Sequence, residues 1–272
     1  MPRFLRFLSV VIFAAAGAMR LPADPSAMIA KARAYLGPEA ALKAITSIHY
    51  TGTLESQETV KDKDGKEVTR PTKATVDIIF ERPYRQRFLV VSDKKTEITV
   101  LDDYEAWYRS QQTDNASHWN FMLLNKDQIK YLRASTWENL AFYQGLVRRG
   151  GKVEDLGPVS LDGRACEKLA FVHEAGIAYY RYFDRATGQL LLTELESGNR
   201  IRQEGEIVVD GVRFPKRLIQ VTKNPATGRE QTAVITVDKV TLNETFPDSL
   251  FAVPMLIPPA SPAPAAPALS AK

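Results

Sequence analysis

The chain has 272 residues, 44% hydrophobic and 25% charged, a balance that excludes the disordered and fibrous classes and leaves enough apolar side chains for a sizeable core. Its formal net charge of +4 falls to +2 once Arg3 and Arg6 of a removable N-terminal segment are discounted, too little to argue for nucleic acid as a partner. One cysteine, Cys166, permits no internal disulfide, so the fold must rest on its core alone.

Arg3 and Arg6 precede an apolar run from Phe7 to about Ala16, closed by Ala16-Gly17-Ala18. That is the pattern of a secretory signal peptide over residues 1–18. The run is short of the roughly 20 residues a membrane-spanning helix needs, and no later segment approaches that length. Lipidation after export would need a cysteine at the cleavage point, and Cys166 lies far from it.

A single domain is expected over residues 25–254. PSAMIAKARAYL, Pro25 to Leu36, reads as a helix stopped by Gly37, and Pro38 opens a second short one, PEAALKAI. From Ser47 the period changes. IHYTGTLESQETV, ATVDIIFERP, YRQRFLVVS, TEITVLDD and EAWYRSQ are short, rich in β-branched and aromatic residues, and separated by turn formers, which predicts a meander of antiparallel strands.

One helical interruption is expected between Asn125 and Arg149. Asn125 to Gln128 and Ser135 to Glu138 both have capping-box spacing, so two consecutive helices are predicted there, with Ile129 and Leu132 on one apolar face and Trp137, Leu140 and Ala141 on the next. Strands resume near Val153 and run to about Leu242. The remainder, PMLIPPASPAPAAPALSAK, is rich in proline and alanine, and residues 255–272 are expected to form an extended tail without a packing pattern.

The turns carry the clearest local chemistry. Asp64-Gly65, Asp162-Gly163 and Asp210-Gly211 suit two-residue hairpins that require positive φ. FDRATGQLLLTELE, Phe183 to Glu196, places Asp184, Thr187 and Gly188 at a point that could be a site or a turn. An echo at Asn224, Thr227 and Gly228 favours the turn, with the Asx side chain capping backbone N–H groups and the glycine in the left-handed region.

Catalytic signatures are missing. His49, His118 and His173 have no second ligand at helical spacing, and there is no HExxH or Cys-His cluster. No Gly-x-Ser-x-Gly elbow occurs. Gly145 to Lys152 misses the phosphate-loop spacing by one glycine, and Asp62-Lys-Asp64-Gly65 lacks the remaining calcium ligands. Asp102-Asp103 and Glu194 with Glu196 are ordinary on solvated strands, and Cys166 in RACEKLAFV reads as a buried small apolar residue. No cofactor, no metal and no enzymatic activity are expected.

An apolar sheet face does stand out. Ala74, Val76, Ile78 and Phe80 share one side of their strand, and Phe88 and Val90 one side of the next. If helices cover that face only in part, the gap is an apolar cavity suited to acyl chains. A fully packed core explains the same pattern.

Taken in order, the signal peptide, LGPEAALKAITSIHYTGTL, FDRATGQLLLTELE, VVDGVRFPKRL and VTLNETFPDSLFAVP make the chain resemble the outer-membrane lipoprotein-sorting superfamily, the LolA/LolB-like proteins. The resemblance covers most of the mature chain and rests on turns and packing positions, which specify fold more than function. It implies a mainly antiparallel β fold with a few helices (α+β), a curved half-barrel sheet covered by helices, in the periplasm. It also implies a cavity for acyl chains of lipids or lipoproteins, with membrane-anchored donor or acceptor proteins as further partners. On that pattern the Asn125 to Arg149 helices are the cover, and Met122, Leu132, Trp137, Leu140 and Phe142 join Val76, Ile78, Phe80, Phe88 and Val90 as its lining. The chain is longer than the compact carrier and lacks the acceptor's lipid-bearing cysteine. A second reading is a periplasmic protein-interaction or sensory module related to sigma-factor regulators, and an enzyme is the third.

Overall fold

A computed structural model describes residues 25–61, 63–64, 66–115, 118–223 and 228–254. The expected signal peptide and the Pro/Ala-rich tail lie outside the described residues, as do Gly65 of the first Asp-Gly turn and Asn224 to Thr227 of the second Asx turn.

Helices α1 (Ser26–Leu36) and α2 (Glu39–Ala44) lead into strands β1 (Ser47–Lys61), β2 (Glu67–Glu81), β3 (Arg85–Ser92), β4 (Lys95–Asp102), β5 (Glu105–Gln112) and β6 (Trp119–Leu123). Helix α3 (Lys126–Leu140) follows. Seven more strands complete the chain: β7 (Lys152–Leu161), β8 (Arg164–Glu174), β9 (Ile177–Asp184), β10 (Leu190–Leu195), β11 (Arg200–Val209), β12 (Val212–Lys223) and β13 (Glu230–Leu242). They form one 13-stranded sheet in the order β6-β5-β4-β3-β2-β1-β13-β12-β11-β10-β9-β8-β7.

That order is two meanders sewn together. The first runs outward from β1 to the edge at β6, α3 carries the chain to the opposite edge at β7, and the second meander works back until β13 pairs with β1. All neighbours are antiparallel, as the short strands and tight turns require. The sheet stays open, with β6 and β7 as its edges, and α3 lies against β2, β3 and β4. The expected architecture, a mainly antiparallel sheet curved into a half-barrel and covered by helices, is the one observed.

The turn chemistry works locally as read. Asp162 and Gly163 have φ of 50° and 78°, and Asp210 and Gly211 of 49° and 77°, two consecutive positive values that match the twist of the flanking strands. Asp184 accepts hydrogen bonds from the backbone N–H of Ala186 and of Thr187, each at 2.9 Å, and Arg164 pairs with its other oxygen. Gly188 has φ 84° and lies so close to α1 that a Cβ there would come within 2.7 Å of the Lys31 carbonyl oxygen. FDRATG is a turn that also seats a helix.

Two details depart from the pattern. The first meander extends one strand further than its sequence suggests, because WNFML is short and mostly exposed and lacks the alternation that marks the others. The predicted pair of helices is one continuous helix. Asn125 and Gln128 do form a reciprocal capping box, but Ser135 lies inside α3 and Glu138 is drawn away to tertiary partners.

Apolar side chains divide between the two faces. The inner face, under the helices, holds one cluster around Leu42, Ile48, Ile78, Phe80, Leu140 and Phe214 and another around Ala32, Ala134, Leu169, Phe171 and Phe183. The outer face holds a third, in which Phe251 of the segment after β13 packs on Ile79, Val100 and Trp107. Cys166 is fully buried, as its strand context implied, and burial pushes its thiol up.

Candidate apolar binding cavity

Between the inner face and the helices lies a cavity of about 360 Å3, within the size range of small-molecule sites, roughly 300 to 1,000 Å3. Strand alternation supplies its floor. Tyr50 of β1, Ile78 and Phe80 of β2 and Phe88 of β3 point inward from registered positions, with Ile78 opposite both Tyr50 and Phe88. Phe214, Leu218 and Ile235 extend the floor across β12 and β13, so both meanders contribute. Tyr50 meets Phe80 and Phe214 edge-on at centroid distances of 6.4 and 6.0 Å, a favourable aromatic geometry.

The roof is α3 and the segment behind it, through Ser135, Glu138, Asn139, Phe142 and Tyr143. Phe142 and Tyr143 have φ of 47° and 70°, an unusual consecutive pair for bulky residues that costs about 1–3 kcal/mol each. Arginines hold it in place. Buried Arg33 of α1 donates to the Phe142 and Ala141 carbonyls at 2.5 and 3.3 Å while Glu39 binds its other edge at 2.8 Å, and Arg82 donates to the Leu140 carbonyl at 2.6 Å.

One wall of the cavity is charged. Arg181 of β9 donates to Glu138 of α3 at 2.5 Å, and the other carboxylate oxygen lies 2.5 Å from His173 Nε2. His173 sits at the register shift between Val172 and Glu174, a bulge that aims its ring at the helix. Burial alone would raise the Glu138 carboxyl, but Arg181 and the His173 hydrogen bond outweigh it and hold the group below its ordinary value. Arg181 also lies over Phe171 at 4.6 Å and Tyr143 at 5.0 Å, yet its Nε is buried with no hydrogen-bond partner among the described residues. Burial pushes the Tyr143 hydroxyl up to about 12, so this wall presents a neutral phenol beside a balanced ion pair.

The cavity gathers four of the ten lining positions expected from sequence: Ile78, Phe80, Phe88 and Phe142. Val76, Val90 and Leu140 belong to the packed cluster around it. Met122 and Leu132 line a separate hollow of about 480 Å3 between α3 and β4 to β6, with Tyr108 and Tyr131. Trp137 lies elsewhere, its ring 4.1 Å beneath the Arg149 guanidinium. A one-residue error in helix phase explains this: α3 turns Ser135, Glu138 and Asn139 to the cavity, which puts Trp137 on the flank.

The charged wall went unread in the sequence. Its signal was available in β9, where Ile177, Tyr179, Arg181 and Phe183 share one face; an arginine in an apolar stripe requires a buried anion. Among the described residues no group of three His, Cys, Asp or Glu is placed to hold a metal, and no helix is long and apolar enough to cross a membrane.

No family model matches the chain, and no curated protein matches it. Solved structures do. A LolA superfamily protein from Nitrosomonas europaea is 12% identical, with 85% of this chain and 98% of that one covered and a TM-score of 0.51. A domain from Vibrio parahaemolyticus, named for outer membrane lipoprotein sorting, is 8% identical with 84% and 97% covered and a TM-score of 0.50. Such similarity establishes a shared LolA-like fold and nothing finer. The MucA/MucB complex of Pseudomonas aeruginosa aligns over 82% of this chain and 100% of the matched one, at 10% identity and a TM-score of 0.22, too low to support the regulator alternative.

Proposed function

We propose that the protein is a non-enzymatic binding protein of the periplasm that accepts an acyl chain of a lipid or lipoprotein in the central cavity, in the service of outer-membrane lipoprotein sorting. The observation that carries this reading is the unfilled volume between α3 and the sheet, floored by Tyr50, Ile78, Phe80, Phe88 and Phe214. A packed core would close such a gap, since voids in interiors sacrifice contacts. An apolar guest restores them, and its burial stabilises the complex by about 25 cal/mol per Å2 of surface removed from water. The names of the proteins that share the fold support the same choice of guest. Export rests on the signal peptide expected over residues 1–18.

The test is mass spectrometry of an organic extract of the purified protein, together with titration of a fluorescent fatty acid. Bound lipid and saturable uptake are expected. Phe88→Asp places a charge on the cavity floor and should abolish uptake, whereas Trp137→Asp should not, because that ring lies outside the cavity. No lipid and no uptake by a folded protein would refute the reading.

A further inference from the structure

A third, smaller pocket lies on the other flank of α3. It has a volume of about 170 Å3 and is lined by Lys130, Arg133, Arg149, His173 and Glu174, with Leu146 at its base. Three permanent cations there face one carboxylate. Glu174 is engaged by Lys130 at 2.6 Å, and Arg133 donates to the carbonyl of Asp103 at 2.9 Å and to its carboxylate. Arg149 has no acid. Its guanidinium makes no hydrogen bond and no ion pair among the described residues, and lies over Trp137 at 4.1 Å and Tyr84 at 4.8 Å.

Aromatic clamping of this kind is informative. Arg133 lies over Tyr84 at 3.9 Å and Tyr104 at 4.0 Å, so rings fix both guanidinium planes. A guanidinium held by its faces keeps its N–H edge free and ordered, the geometry that binds a phosphate oxygen pair. His173 adds a buried polar partner. Its side chain is only 10% exposed, its Nε2 is committed to Glu138, and its Nδ1 has no hydrogen-bond partner among the described residues. Nδ1 is therefore the ring atom left to meet a polar group of a guest in the pocket.

We propose that this pocket is an anion site for a phosphate group, either the headgroup of a phosphomonoester lipid or a free phosphate. Arg149 supplies the guanidinium edge, Arg133 and Lys130, already held by Asp103 and Glu174, add positive charge, and His173 Nδ1 is a further polar contact. The site does not depend on the central cavity's taking an acyl chain. Glu138 stands between the two, binding His173 on one side and Arg181 in the cavity wall on the other.

The test is calorimetric titration of the full chain with inorganic phosphate at low ionic strength, where charge screening is weakest. Saturable binding is expected. Arg149→Ala should weaken it roughly tenfold or more, the loss of one charge-assisted contact, while Lys126→Ala, on α3 but outside the pocket, should leave it unchanged. Both variants should melt with the parent, since each residue is exposed. Sedimentation with phosphatidylcholine vesicles, with and without phosphatidic acid, identifies the source: pelleting that needs phosphatidic acid and fails in Arg149→Ala marks a lipid headgroup, and phosphate binding without pelleting marks a soluble ester. No saturable phosphate binding together with no phosphatidic-acid-dependent pelleting would overturn the inference, as would an equal loss in Lys126→Ala. Fluorescent fatty acid uptake by the same variants separates the two readings, because Arg149→Ala should leave it intact.

Discussion

Ile78 and Ile79 are neighbours on β2 with opposite fates. Ile79 points to the outer face, where Phe251, Val100 and Trp107 close over it and Trp107 Nε1 donates to the Phe251 carbonyl at 3.0 Å. Ile78 points to the inner face and borders open volume. Both faces are apolar and both are covered, so hydrophobicity does not separate them. The cover does. The outer face is sealed by a short chain segment that can settle ring by ring, and is pinned further by His49, which reaches Asp77 at 2.9 Å and Glu244 at 2.6 Å. The inner face lies under a helix whose facing residues include Ser135, Glu138 and Asn139. A rigid rod with polar side chains cannot collapse into an aromatic floor, because those side chains need partners more than they need contact.

The largest expected effect is on the sealed face. Phe251→Ala removes a fully buried ring from a site with no slack and should cost about 3–5 kcal/mol, read as a fall in the denaturation midpoint, while uptake of a fluorescent fatty acid stays unchanged in the folded fraction. Lost uptake at native stability would show that the two faces are coupled.

Next is the ion pair in the cavity wall, Glu138 with Arg181. Glu138→Gln leaves Arg181 and His173 without their anion and should cost about 3 kcal/mol. The same pair gives an acid sensitivity with a definite sign. Glu138 is held below its ordinary value in the fold, so the unfolded chain takes up the proton first. Its stabilisation is complete above the ordinary glutamate range and is lost as pH falls through the folded value. Denaturation midpoints followed downward from about pH 5, near the start of glutamate titration, should fall more steeply in the parent than in Glu138→Gln.

A smaller change is expected where α1 meets the sheet. Gly188→Val combines a left-handed backbone at φ 84° with a Cβ 2.7 Å from the Lys31 carbonyl oxygen, and should cost about 2 kcal/mol or more. The turn alone accounts for the first term, and the helix seat for the second. Gly228 has φ 68° and nothing within 4 Å of its added Cβ. Comparing Gly188→Ala with Gly228→Ala by thermal melting isolates the seat, and equal losses would show that α1 yields.

How much of this the sequence disclosed follows the range of each interaction. Asp162-Gly163, Asp210-Gly211 and the Asp184 cap are short-range devices, and each is legible within a few residues. Alternation along ATVDIIF placed Ile78 and Phe80 on the correct face for the same reason. Helix phase was less secure, since α3 carries apolar residues on more than one side, and Trp137 went to the wrong one. The Glu138, His173 and Arg181 cluster spans α3, β8 and β9, and no local pattern joins them. Whether the inner face is filled depends on how far the helix stands from the sheet, a property of the assembled fold.

The smallest expected stability change tests the comparison most closely. Phe88 is only partly buried and already borders unfilled volume, so Phe88→Ala adds to an existing gap. Its cost should be about 1–2 kcal/mol, the transfer term for a partly buried ring with little added cavity penalty, well below that of Phe251→Ala. Uptake should respond in the opposite order. A wider floor loses contact with a slender chain, so affinity for a fluorescent fatty acid should drop several-fold, measured by titration, while Phe251→Ala leaves it untouched. If Phe88→Ala instead costs as much as Phe251→Ala, the inner face is packed in solution as tightly as the outer one. In that case the gap under α3 is filled by the protein's own side chains, and no guest has room to enter.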